Sequence, residues 1–214
     1  METAETKPKW RRRAEDRPDE VLDAALTLFA RNGFAATKVE DIAREAGLSK
    51  GAIYRYFPSK EDIFESLVKR AIAPIAERTE DLARTSHEDP AVLLKAVLSV
   101  VAVKLSDPDT MALPRIVLQE AGRFPELAET YRRQVINKGI GALELILQKG
   151  IAAGQFRPVD AHLAIRNVMG PLLAHMLLTQ IFRIDEDAQT TSQDFIESHF
   201  DILMNGLLKP RAGG

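Results

Sequence analysis

Residues 37–60 read TKVEDIAREAGLSKGAIYRYFPSK, and the rest of the chain takes its place around them. Val39, Ile42, Ala43 and Ala46 recur at three- and four-residue spacing, which puts them on one face of a short helix beginning near Lys38. Thr37 is placed to cap that helix, and Glu40, three residues on, completes a capping box. Gly47 follows where the chain must turn sharply, a position that favours the left-handed conformation open to glycine. Ser49 caps a second helix over residues 50–57, which Pro58 closes by disfavouring helical geometry in the residue before it. Ala43 and Gly47 are small enough for two steeply crossed helices to approach, with Leu48 and Ile53 filling the angle. This is a helix-turn-helix pattern. In that motif the second helix enters the major groove of DNA with its N-terminal residues toward base edges, while the first crosses the phosphate backbone. Lys50, Gly51, Ala52, Tyr54, Arg55 and Tyr56 are then the candidate reading surface, with Lys38 and Ser49 at the two helix starts.

SKGAIYRYFPSK, from Ser49 to Lys60, resembles the recognition helix and following helix start of the tetracycline-repressor (TetR-type) regulators. The resemblance extends upstream through RPDEVLDAALTLFARNGFAATKVEDIA and covers residues 17–64. It implies an all-α, homodimeric transcriptional regulator, expected to act as a repressor on a palindromic double-stranded DNA operator. A three-helix head would carry a larger helical domain that binds a small, largely apolar effector, about nine helices in all. Lys50 and Tyr54 would approach bases or backbone, while Thr37 and Tyr56 would donate hydrogen bonds to phosphates. The expected division is a basic arm over 1–16, the head over 17–62, and the effector-binding and dimerisation domain over 63–210.

A net charge of −2 does not advertise nucleic acid. The basic charge is local: residues 1–70 carry a net +1 against −3 for the remainder, with clusters in KPKWRRR and around Lys38, Lys50, Arg55 and Lys60. Such a footprint suffices, because phosphate attraction is screened within about 8–10 Å. The 45% apolar content supports a real core, and the lack of cysteine removes disulfides and thiolate chemistry. No apolar run approaches the roughly 20 residues of a membrane span. A cytoplasmic protein with no membrane contact is expected.

Residues 1–16 lack apolar periodicity. Lys7, Lys9, Arg11, Arg12 and Arg13 read either as a mobile arm reaching along DNA or as a solvated tail. Pro18, Asp19 and Glu20 mark a helix start, Val21, Leu22, Ala25, Leu28 and Phe29 its buried face, and Asn32-Gly33 its end, with Phe34 as a plug. Ser59 and Asp62 cap the next helix. Lys60 opposes the dipole of that helix, so a phosphate there would satisfy both the lysine and the exposed N–H groups. From Ile63 a long amphipathic helix is expected to about Arg84, kinked at Pro74. Asp89-Pro90, Asp107-Pro108 and Phe124-Pro125 open three further helices, the last running to about Ala153. Two more are expected over residues 160–183, kinked at Pro171, and 192–208.

Catalytic signatures are missing. His87, His162, His175 and His199 lack the i, i+4 spacing of helical metal sites, and no nucleophile elbow or phosphate-binding glycine loop occurs. No catalytic residue, metal or cofactor is expected. The effector pocket is expected between helices of the second domain, with Arg115, Gln119, Glu120, Tyr131, Asn167 and His175 as candidate polar contacts. Gly170, Ala174 and Leu177, with Phe195, Ile202, Leu203 and Gly206, are expected to form a dimer seam or to close the monomer core. Two other classes share this composition. A helical ligand-binding or scaffold protein without DNA binding would show no salt-dependent duplex affinity, and an enzyme would show turnover.

Overall fold

The computed structural model describes residues 9–184 and 191–207. Among these residues there are eleven α-helices, two single π-helical turns and no strand. The chain divides into two compact units. One holds the chain up to Ala71 together with Ala112–Tyr131, and the other holds Ile72–Met111 with the chain from Arg132 on. The boundary therefore differs from a simple cut after residue 62: a segment from the middle of the sequence belongs with the head.

In the first unit, α1 (Lys9–Asn32) starts well before Pro18, which lies inside it. Lys, Arg, Glu and Ala over residues 9–17 are good helix formers, and their propensity outweighs the one hydrogen bond that an internal proline removes. Lys7 lies outside the described residues, as do the side chains of Lys9, Arg11, Arg12 and Arg13. The expected apolar face of α1 is buried, and Gly33 ends the helix at φ +81°. Then come α2 (Val39–Glu45), α3 (Lys50–Tyr56) and α4 (Lys60–Ala71). Their inward residues Ile42, Ile53, Ile63, Phe64 and Leu67 are fully buried around Phe34. Phe34 has Phe29 at 5.0 Å, Phe64 at 6.0 Å and Phe124 at 5.1 Å, measured between ring centroids. Phe124 precedes α8 (Pro125–Tyr131), whose Leu127 joins the same core.

The helix expected to bend at Pro74 is broken there. After α4 ends at Ala71, α5 (Ala73–Thr85) takes Pro74 into its first turn, where a missing N–H leaves no interior bond unmade. The second unit continues with α6 (Pro90–Ser106), capped by Asp89, whose Oδ1 accepts from the N–H groups of Ala91 and Val92. Residues 125–153, expected as one helix, are α8, a π turn (Arg132–Ile136) and α9 (Asn137–Ala152). Gly154 at φ +70° turns the chain toward α10 (Ala161–Met176), which passes through Pro171 into a second π turn (Leu177–Ile181). A last helix, α11 (Ser192–Leu207), completes the unit; residues 208–210 lie outside the described ones. Leu94, Leu98, Ala142, Ile146, Leu147, Phe156 and Val168 form its fully buried centre. The remaining helix, α7 (Pro108–Glu120), begins in this unit and ends in the first. No helix among the described residues is long and apolar enough to cross a membrane.

Candidate nucleic-acid interface

The turn between α2 and α3 is built by backbone chemistry. Leu48 N–H donates to Ala43 O (2.8 Å) and Gly47 N–H to Arg44 O (3.2 Å), the paired bonds of a Schellman end, with Gly47 at φ +66°. Ser49 Oγ then accepts from Ala52 N–H at 3.2 Å and starts α3 as expected. Phe57, at φ −133° and ψ 106° before Pro58, ends it. Of the seven residues in α3 only Ile53 is buried. Lys50, Gly51, Tyr54 and Arg55 are exposed, with Ala52 and Tyr56 half-buried, so the face opposite Ile53 is free for a partner. An open groove beside it is lined by Lys38, Glu40, Tyr54, Ser59 and Lys60.

Glu40 has a role that the sequence reading assigned elsewhere. Rather than completing a cap, its carboxylate pairs with the Lys50 ammonium, which also lies 5.6 Å over the Tyr54 ring. The shared hydrogen bond holds Glu40 below the usual carboxylate range and Lys50 above the usual lysine range. Both side chains are about half exposed, so a phosphate or a base edge can compete for the ammonium.

Two expected phosphate contacts are corrected by the geometry. Thr37 is 1% exposed, and its hydroxyl donates inward to Gly33 O (2.8 Å) and Leu28 O (3.3 Å). It does not cap α2. That position is taken by Lys38, whose N–H donates to Asp41 Oδ2 at 3.4 Å; the lysine side chain has no acceptor to return the bond, so only the N3 half of a capping box forms, one residue on from Glu40. Lys60 also turns inward. Its Nζ donates to Phe34 O (2.7 Å) and Thr37 O (2.9 Å) and lies 4.3 Å over the Phe34 ring. Burial pushes its pKa down, against the opposing fields of Glu61 and Glu120. The lysine is thus a clamp on the α1–α2 loop. The N–H groups at the start of α4 are served by Ser59, whose Oγ accepts from Asp62 N–H at 3.0 Å.

Gly51 has no packing role among the described residues, where a Cβ on it would meet nothing within 4 Å. Glycine inside a helix nonetheless costs about 0.5–1 kcal/mol relative to alanine. A residue that weakens its own helix on an exposed face fits a place where a partner's backbone comes close. Gly51→Ala is therefore expected to raise the thermal midpoint while weakening duplex affinity severalfold; a variant that gains stability with unchanged affinity would remove Gly51 from the interface.

The six effector candidates do not converge. Arg115, Gln119 and Asn167 are exposed, because each lies on the outer face of its helix. Glu120 accepts from Ala35 N–H at 3.1 Å, within the first unit. Tyr131 is largely buried there, and that burial pushes its phenol up to about 12. His175 lines a small cavity with Leu105, Leu172, Met176, Thr179 and Phe195 in the second unit. At about 10 Å³ this space holds at most one water. His175 stacks on Phe195 at 4.1 Å and 6°, and His199 lies beyond, 6.0 Å from the same ring. His199 is buried, with Nε2 2.9 Å from Val168 O, so that nitrogen must carry the proton. Among the described residues no group of His, Asp and Glu could hold a metal.

Comparison with known proteins matches this arrangement. Residues 21–67 match the family described as bacterial regulatory proteins, tetR family, and residues 91–205 the C-terminal domain of AefR-like transcriptional repressors. YfiR, an HTH-type transcriptional regulator of Bacillus subtilis (strain 168), is 31% identical over 72% of this chain and 75% of its own. The fatty acid metabolism regulator protein of the same organism is 29% identical over 72% of this chain and 78% of its own. The solved structure of B. subtilis FadR in complex with stearoyl-CoA superposes with a TM-score of 0.67 at 25% identity, covering 88% of this chain and 98% of that one. With a helix-turn-helix of the right build, and both parts of the chain matched, the protein belongs to the tetR family of bacterial helix-turn-helix transcriptional regulators.

Proposed function

We propose that the protein is a homodimeric repressor that reads a palindromic operator through α3 and leaves it when a small, largely apolar effector binds the second unit. The observation that carries this reading is the exposed face of α3, where Lys50, Gly51, Tyr54 and Arg55 stand outward on a helix fixed by Gly47, Ser49 and Pro58. Lys38, Ser49, Ala52 and Tyr56 flank that face and complete the proposed contact set. The head is the first unit, in which residues 17–62 carry the helix-turn-helix and Ala112–Tyr131 support it, while the second unit serves effector and dimer.

Self-association is supported by apolar side chains left exposed on α10, the turn after it and α11: Leu173, Leu177, Leu178 and Ile202 are 36–69% exposed. A dimer also supplies the two half-sites that a single short reading helix needs for affinity. The cavity at His175 is too small for an effector, so binding requires α10 and α11 to part. A ligand that stabilises the parted form, in helices that also set the dimer, shifts the spacing of the heads away from adjacent major grooves. The stearoyl-CoA bound by the B. subtilis relative is the first molecule to try.

The test is selection of duplexes from a random pool, followed by salt titration on the enriched sequence. An inverted repeat is expected, with affinity falling steeply as salt rises. Tyr54→Ala should weaken binding about tenfold or more. Release of the duplex by stearoyl-CoA would assign the effector class. A pool that enriches nothing, or affinity indifferent to salt, would overturn the reading.

A further inference from the structure

The α7–α8 segment lies within the stretch matched to the C-terminal repressor domain, yet it packs in the same compact unit as the reading helix. Two of its side chains meet the loop between α1 and α2. The Glu120 carboxylate accepts the Ala35 N–H at 3.1 Å, and the same oxygen lies 3.2 Å from where a Cβ on Gly33 would stand. Gly33 thus leaves the carboxylate its place. Four residues on, the Phe124 ring packs edge-on against Phe34 at 5.1 Å, with the Lys60 ammonium 5.8 Å from its centroid. Glu120 also contributes to the field that favours the charged form of that lysine. The loop is therefore held from two sides. Lys60 grips its Phe34 and Thr37 carbonyls, while Glu120 takes the N–H between them.

We propose that Glu120 and Phe124 are positioning residues that fix the α1–α2 loop, and with it the start of α2, in the form that binds DNA. The loop sets Lys38, which stands at the cap position just before α2 and lines the groove beside Tyr54. Glu120 and Phe124 both lie far along the chain from residues 37–60. This step rests on the head binding duplex DNA, and wild-type binding in the same assay keeps the two failures apart.

The experiment uses the full chain and the selected duplex, with affinity, hydrogen exchange at Ala35 and circular-dichroism melting measured on each variant. Glu120→Ala should weaken duplex affinity about tenfold and expose the Ala35 amide to exchange. Glu120→Gln keeps an amide oxygen to accept the same bond and should stay within about threefold of wild type. Phe124→Ala should match Glu120→Ala, whereas Phe124→Leu, which retains most of the packing and so keeps the fold, should stay near wild type. The double alanine variant should lose little beyond the worse single, since both act on one loop. Wild-type affinity with a protected Ala35 in Glu120→Ala would overturn the proposal. So would a glutamine variant as weak as the alanine, or single losses that multiply in the double.

Discussion

Phe34→Ala should abolish operator binding at least a hundredfold while leaving most of the chain helical. Phe34 is 0% exposed, and three aromatic rings meet it within 6.0 Å. Removing a buried phenylalanine costs about 3–5 kcal/mol in lost transfer energy and cavity, and the aromatic contacts are included in that range. The loss falls on a small head whose share of the stability is a fraction of the 5–15 kcal/mol typical of a domain. Lys60 makes the damage functional. Its ammonium would lose the ring face 4.3 Å away and border a void, at a site where burial already lowers its hold on the proton. With the clamp slack, the Phe34 and Thr37 carbonyls are released and the α1–α2 loop no longer sets the start of α2. Phe34→Leu, which fills most of the volume, should lose about 1–1.5 kcal/mol and keep measurable binding. The measurements are duplex affinity by fluorescence anisotropy and the melting of each variant. Binding of Phe34→Ala within threefold of wild type would show that the plug does not govern the reading face.

Lys60 also shows what a sequence discloses and what it hides. The turn at Gly47, the cap at Ser49, the stop at Pro58 and the cap at Asp89 are all decided within a few residues of backbone, and each is found where its local chemistry places it. The helix-turn-helix was legible for that reason. Thr37 failed because a hydroxyl at a helix start has competing acceptors, and here the carbonyls of Leu28 and Gly33 win over the N–H groups of α2. Lys60 was read from its position in a helix dipole, but its orientation is set by Phe34 and, from far along the chain, Phe124. Glu120 was selected as a polar residue in apolar surroundings, yet its partner is an amide 85 residues away. Local rules locate helices and their ends. They say nothing about which distant segment a side chain will meet, and the effector site, made only of such meetings, was the least legible part.

The second unit has its own point of failure at Gly150, where alanine is expected to destabilise the protein by about 3 kcal/mol and lower its melting midpoint by about 10 °C. A Cβ at this position would stand 2.2, 2.4 and 2.8 Å from three carbons of the Phe156 ring. The ring cannot swing clear, because it is 1% exposed and sits in the central cluster with Leu147 and Leu98. Nor can the backbone give easily. Gln155 and Phe156 both donate their N–H groups to Gly150 O at 3.0 Å, and Gly154 at φ +70° bends the chain back to make those bonds. The absent side chain thus lets the end of α9 and the segment toward α10 close on each other. Steric overlap and a backbone requirement at Gly150 can be told apart. Phe156→Ala withdraws all three colliding carbons, so Gly150→Ala should lower the melting midpoint much less on a Phe156→Ala background than on wild type, even though Phe156→Ala by itself is destabilising. An equal loss on both backgrounds would mean the glycine serves the backbone and not the ring. Because α10 follows directly from this closure and carries the exposed leucines proposed to pair two chains, Gly150→Ala should also raise the protein concentration at which duplex binding begins.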